Sequence, residues 1–307
     1  MSTANHTRAA LRIVAPSGAM ESPDLLPRAA QRLSKLGFDV QVDPQCHLIH
    51  QRFAGTDIDR AVALNQAIKD PAVNVVMAAR GGYGAHQIVS LLDWPKLAKT
   101  VIKQGKKLVG HSDFTAIQLA LLRHGAPSWA GPCAGIDFGS KSVHAGMKRS
   151  FVQAMNGDFE LTVKAKQHEK PFETQGMLWG GNLAMLCSLL GTPYFPKPSQ
   201  IAGGILFLED VNERPFRVER MLNQLHLAGV LDAQHAVLWG DFGKPMPAPY
   251  DRGYGSSNVR DYIAHKMRPP LVKGLPFGHI ANKVTLPIGQ MVHLTVTPTG
   301  FNLKVTV

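Results

Sequence analysis

Cysteine is scarce, with three in 307 residues. Cys46, Cys133 and Cys187 lie far apart, and no C-x-x-C occurs. The odd number and wide spacing exclude a disulfide framework and a paired-cysteine zinc site. Three free, mostly buried thiols are expected instead. Long apolar runs are missing too. None approaches the roughly 18 residues that suggest a membrane span. The opening MSTANHTRAALRIVAPSG has no apolar stretch or cleavage site of the kind a secretory leader carries, so an intracellular, cytoplasmic protein is expected.

Runs of one charge are also absent. Lys and Arg number 33 against 22 Asp and Glu, a net charge of +11. Such an excess favours anionic ligands. The basic residues are scattered, without a block of five and without interleaved aromatics, so a dedicated nucleic-acid surface is not expected. Several signatures fail to appear. There is no H-E-x-x-H, which excludes the common zinc peptidases, and no G-x-G-x-x-G dinucleotide fingerprint. The tripeptide DFG at 241–243 has no glycine-rich loop or H-R-D with it and carries no kinase meaning.

What is present is material for a core. Hydrophobic residues make up 45% and charged residues 18%, a globular balance. A chain this long is expected to fold as two domains. In the first half, short β-branched strands alternate with amphipathic helices: LRIVAPSG (11–18), the helix of 24–38, DVQVDPQC (39–46), the helix of 57–70, VNVVMAARGGYG (73–84), then KKLVG before a helix from Phe114. That order predicts a parallel sheet covered on both faces. The polar stretch 162–176 reads as a linker. Strands at 203–210 and 236–243, helices at 215–228 and 257–267, and terminal alternating strands follow it. The expectation is an α/β protein with domains 1–161 and 177–307, the second smaller and ending in a partly closed β-rich sheet.

Two loops at carboxyl ends of predicted strands stand out, RGGYG (80–84) and GHSD (110–113). Ligands bind at such ends in open α/β sheets. Ser112 sits between strand and helix, a context that resembles a nucleophile elbow although the final glycine of G-x-S-x-G is replaced by Phe114. A helix cap is the plainer reading of Ser112 or Asp113. The adjacent Gly81 and Gly82 could bring backbone N–H groups against a developing oxyanion, or simply turn the chain. A serine nucleophile needs a base and an orienting acid. His111 is adjacent in sequence and so poorly aimed. His279, in the Pro- and Gly-bounded GLPFGHIANK, is the better base. Glu209 follows the apolar run GGILFL, so it is expected to be buried with a partner. Arg217 and its charged neighbours read as pairs on a helix surface. From the residues alone, Ser112, Glu209 and His279 are compatible candidates whose proximity spacing cannot give.

The set APSG (15–18), RFAGTD (52–57), RGGYGA (80–85), GHSDFTAIQ (110–118), LWGGNLAML (178–186), LFLEDVNERPFRVERML (206–222) and GLPFGH (274–279) resembles, in order and over almost the whole chain, the LD-carboxypeptidase family of serine peptidases. The resemblance implies a flavodoxin-like N-terminal domain, a site between two domains, no metal or organic cofactor, and a homodimer. It implies a Ser112–His279–Glu209 triad and cleavage of the L–D amide that joins diaminopimelate to the terminal D-alanine of a murein tetrapeptide. On that reading Asp113 and Gly81 or Gly82 would supply the oxyanion hole. Arg80 first and Arg217 second would hold the terminal carboxylate, unless they serve only structural ion pairs, and Trp179 would line the cleft, unless it simply packs in the core. A microcin-C-inactivating amide hydrolase with the same triad, or a non-catalytic muropeptide-binding protein, are the rival expectations.

Overall fold

The computed structural model describes residues 8–167, 170–244 and 248–306. Its strands in chain order are β1 Ala9–Val14, β2 Phe38–Val42, β3 Val75–Ala78, β4 Lys107–Gly110, β5 Ser128–Ala130, β6 Glu160–Lys164, β7 Phe172–Asn182, β8 Ile205–Glu209, β9 Ala236–Trp239, β10 Leu271–Lys273, β11 Leu286–Ile288, β12 Gln290–Thr297 and β13 Gly300–Val305. Its α-helices are α1 Leu25–Lys35, α2 Asp57–Lys69, α3 Ala85–Ile88, α4 Trp94–Gln104, α5 Thr115–Arg123, α6 Ala145–Asn156, α7 Leu183–Leu189, α8 Pro198–Ile201, α9 Pro215–Leu227 and α10 Ser256–Lys266.

The first sheet runs β11-β5-β4-β3-β1-β2. Without β11 this is the flavodoxin order 2-1-3-4-5, and its strands are all parallel. Both faces are apolar, as a parallel sheet covered by helices requires. Leu11, Ile13, Val75, Met77 and Val109 face one buried cluster, with residues of α1 and α6. Val14, Val76, Ala78 and Leu108 face the other. This alternation is the period of two of a strand. The second cluster continues through Leu178, Phe207 and Leu238, so one core joins both halves of the chain.

The second sheet runs β10-β9-β8-β7-β12-β13-β6. From β10 to β7 it is parallel, and from β7 to β6 antiparallel. Its outermost strands are β10 and β6, and Gln167, just past β6, donates to the Lys273 carbonyl and accepts from the Lys273 N–H, both at 3.0 Å, so the sheet closes partly on itself, as expected, without forming a barrel. The expected linker at 162–176 is corrected. Residues 160–164 form the edge strand β6, and β7 starts at Phe172. Only Val163 of β6 is buried. An edge strand with one buried side chain looks as polar as a linker.

β11 belongs with the second half in sequence but pairs antiparallel with β5, Leu286 opposite Ala130. Pro287 fits there because an edge strand can lack one donor. The three thiols are free, Cys46 and Cys133 buried and Cys187 half-buried. Among the described residues no helix is long and apolar enough to cross a membrane.

Candidate active site

The carboxyl ends of β1, β3 and β4 in one sheet approach those of β7 and β8 in the other. The joint is polar and specific. Asn182 N–H, at the end of β7, donates to Thr115 Oγ1 in the first turn of α5 at 3.1 Å. A Cβ on Gly181 would lie 2.6 Å from that same oxygen, so only glycine permits the approach.

Ser112 follows β4 through His111 and opens a single 3-10 turn, Ser112–Phe114, that leads into α5. Its φ is +62°, one of four positive values at non-glycine residues among those described. A left-handed L-residue costs about 1–2 kcal/mol. The turn is sharp because Phe114 folds back over Gly110, where a Cβ would meet its ring at 2.7 Å. Phe114 is fully buried, which accounts for a large apolar residue at the place of the missing elbow glycine. Ser112 is half-buried.

Gly81 packs directly on Ser112. A Cβ at 81 would lie 2.8 Å from Ser112 Cβ and 3.0 Å from its Oγ. Asp113 fixes this arrangement. Its Oδ2 accepts from Ser17 Oγ at 2.8 Å and from Ala85 N at 2.5 Å, tying the loops after β1 and β3 to the serine turn. Burial pushes its carboxyl above the ordinary aspartate range, against the pull of those two donors. Arg60 braces the same loops through the carbonyls of Pro16 (3.3 Å) and Gly84 (2.7 Å) and stacks over Phe53. Arg60 was not singled out in the sequence. Its place one turn before Leu64 and two before Ala67, on the buried face of α2, was the available signal.

Glu209 ends β8 and has no exposed surface. Its Oε2 lies 2.9 Å from Nδ1 of His279, which is 22% exposed. The loop carrying His279 passes close over the end of β9. A Cβ on Gly278, at φ +139°, would lie 2.9 Å from the Asp241 carbonyl oxygen. The neighbouring Asp210 takes N–H bonds from Val211 and Ala184 and one from the Asn182 amide. Burial pushes its carboxyl up to about 6.

His111 turns away from Ser112. Its Nδ1 is 3.0 Å from the Gly131 carbonyl, so that nitrogen carries the proton, and Nε2 faces Lys283 Nζ at 3.2 Å. Burial, with Lys283 and His279 nearby, holds its pKa well below the ordinary histidine value. The His111 and His279 rings meet edge to face, centroids 5.2 Å apart. His111, Cys133 and Asp137 bring ligand atoms within 4.8 Å of one another. The Lys283 ammonium already serves as the cation there, 2.6 Å from Asp137 Oδ1.

Three sequence expectations separate from the site or weaken. Trp179 is corrected: it has no exposed surface, donates to Gln234 Oε1 at 2.8 Å and meets Phe195 edge-on, so it is core. Arg217 pairs with Glu213 on the surface of α9, at 2.5 Å, as its charge pattern suggested. Arg80 donates to the Ala19 carbonyl and pairs with Glu21 at 3.0 Å, beside a cavity of about 400 Å³ lined also by Gly18, Arg52 and Gly82.

Two family models match the chain, the LD-carboxypeptidase N-terminal domain at residues 11–131 and its C-terminal domain at 175–294. The chain belongs to the LD-carboxypeptidase family. The crystal structure of muramoyltetrapeptide carboxypeptidase from Oxalobacter formigenes is 38% identical, with a TM-score of 0.88 over 97% of this chain and 99% of that one. Murein tetrapeptide carboxypeptidase of Pseudomonas aeruginosa is 30% identical, over 91% of this chain and 90% of its own. The structure of MccF in complex with glutamyl sulfamoyl guanosine, 19% identical with a TM-score of 0.85 over 97% and 96%, shares the fold. Membership of the family makes the chain a carboxypeptidase by descent, and the two nearer relatives carry names tied to the cell wall.

Proposed function

We propose that the protein is a serine LD-carboxypeptidase that removes the terminal D-alanine from a murein tetrapeptide in peptidoglycan recycling. The observation that carries this reading is the 2.9 Å contact of His279 with the buried Glu209, set across the joint from the strained Ser112 turn. Glu209 accepts the Nδ1 proton of His279 and leaves Nε2 as the base. Nε2 takes the Ser112 proton as Oγ attacks the carbonyl of the L–D amide. The N–H of Asp113 and that of Gly81 or Gly82 bind the resulting oxyanion. Collapse breaks the C–N bond, and the imidazolium gives its proton to the leaving amine. Water, deprotonated by His279, then hydrolyses the ester and restores the serine. The chain's own groups supply every proton transfer. Arg80, at the edge of its cavity, is the proposed partner for a substrate carboxylate on that side. A cytoplasmic location and a homodimer belong to the same reading.

The test is incubation with a murein tetrapeptide and mass spectrometry of the products. Release of a single D-alanine by the wild type, and none by Ser112→Ala, is expected. Turnover of an aminoacyl-nucleotide analogue in preference to the tetrapeptide would favour the microcin-C-inactivating type. Failure of a fluorophosphonate to label Ser112, with no turnover of either substrate, would favour a binding protein.

A further inference from the structure

His279 also forms part of the wall of a second cavity of about 400 Å³, away from Arg80. Lys283, Asp137, His111, Ser140, Ser142 and His144 complete its polar lining. Lys283 is 3% exposed and Asp137 10%, the most deeply buried pairing of two full charges among the described residues. Burying an ammonium is costly unless its hydrogens find partners. Two of the three are committed, to Asp137 Oδ1 and to His111 Nε2. Asp137 spends its other oxygen on the Cys133 N–H at 2.7 Å. His111 can receive the lysine only because its own proton is held by the Gly131 carbonyl. The third hydrogen of Lys283 has no protein acceptor among the described residues. The cavity wall also holds His144, Met147 and so the start of α6, a twelve-residue helix whose N-terminal dipole favours negative charge.

We infer that Lys283 binds a carboxylate of the substrate in this cavity while the scissile amide lies at Ser112. The inference rests on the proposed function, because it takes the cavity as a subsite of that same centre. The cavity's volume, about 400 Å³, lies in the range of small-ligand pockets. A muropeptide offers two carboxylates of suitable reach, the terminal one on the leaving residue and the one on the diaminopimelate side chain. The pair Lys283 and Asp137 gives the cavity both signs of charge. The orientation imposed on the ammonium by Asp137 and His111 makes Lys283 a preorganised donor and not a loose surface charge.

The experiment is a cycle between enzyme and substrate. Lys283→Met is compared with wild type on three peptides: the tetrapeptide, its C-terminal carboxamide, and the tetrapeptide with the side-chain carboxyl amidated. A lost hydrogen bond to a charged group is worth about 10- to 100-fold in affinity. Lys283→Met should raise KM for the tetrapeptide by that factor and change kcat far less. One of the two amidated peptides should lose as much with wild type, and lose nothing further with the variant. That peptide identifies the carboxylate. Lys283→Met combined with Asp137→Asn keeps the buried site neutral if the single variant melts early. A folded variant with unchanged KM, or losses that simply multiply for both amidated peptides, overturns the inference. If the wild type does not cleave the tetrapeptide at all, the proposed function fails. Calorimetry of the three peptides on Ser112→Ala then still decides whether Lys283 reads a carboxylate.

Discussion

Glu209 Oε2 stands 2.9 Å from His279 Nδ1, and the glutamate side chain is wholly enclosed. Its other oxygen, Oε1, is buried with no hydrogen-bond partner among the described residues. All of the carboxylate's directional bonding is therefore spent on one imidazole. Glu209→Gln presents an amide that can turn its NH2 toward the ring and favour the wrong tautomer. It should lower kcat by about 10³- to 10⁴-fold with KM little changed, the scale of a comparable loss in serine peptidases. Steady-state kinetics on the tetrapeptide check this.

Ser112 holds a backbone conformation that suits glycine. Ser112→Ala and Ser112→Gly should both abolish turnover. Ser112→Gly should nevertheless be the more stable of the two, by about 1 kcal/mol, because it relaxes the left-handed strain that alanine keeps. Urea unfolding of the two variants, run side by side, measures the difference. Equal midpoints would argue that the turn is unstrained.

Gly81 is a steric probe of the same place. Its φ is not in the left-handed range, so an added methyl group meets no backbone penalty of its own. It meets Ser112 instead, at 2.8 Å from Cβ. Gly81→Ala should cost at least about 100-fold in kcat, the loss typical of a disturbed oxyanion donor, an effect larger than the loss of about 1–3 kcal/mol in stability as the serine turn gives way. Gly82→Ala, at φ +82° with no atom closer than 3.5 Å to the added carbon, should show the reverse balance.

Asp113 uses one oxygen for two bonds, from Ser17 and Ala85, and leaves Oδ1 without a partner. An asparagine can place its carbonyl oxygen where Oδ2 now stands. Asp113→Asn should therefore keep activity within about fivefold, whereas Asp113→Ala frees both loops and should lose far more in kcat than in KM. Losing two bonds to a buried acceptor also costs stability, about 1–3 kcal/mol. Kinetics and thermal unfolding of the pair of variants separate the two effects.

His111 gives a pH signature. Its pKa in the folded chain is well below the usual histidine value, mainly through burial. The folded state then binds fewer protons than the unfolded state once pH drops below about 6.5, so stability falls as pH falls, by up to about 1.4 kcal/mol per unit from this group. Asp210, raised to about 6, acts oppositely: its folded state binds more protons between about 3.9 and 6, and stability gains as pH falls there. Comparing wild type with His111→Asn between pH 8 and 5 isolates the histidine contribution. Parallel stability curves would remove it.

Much of the site was legible because its residues break local rules. Glu209 interrupts the expectation set by six apolar neighbours, and His279 sits in a loop punctuated by Pro and Gly. That the first sheet is parallel and covered on both faces followed from alternation, whereas its flavodoxin order came with the family resemblance. Other features depend on distant partners and leave little local trace. Trp179 reads equally well as core or cleft until Gln234 and Phe195 are in place. Lys283 sits in a short mixed stretch, IANKVTL (280–286), with no motif of its own, and only the fold delivers Asp137 and His111 to it. β6 has the composition of a linker because it pairs on one side only. β11 is three residues long, and no periodicity of that length can say which sheet receives it.

β11 has a consequence for how the chain is made. Residues 286–288 close the first sheet, and the loop bearing His279 is anchored just upstream of them. A ribosome must therefore release the chain through residue 288 before β5 loses its bare edge and the imidazole can be delivered. An N-terminal fragment ending near residue 161 would carry Ser112 but expose that edge to other chains, so it should aggregate and should not persist as an independent unit.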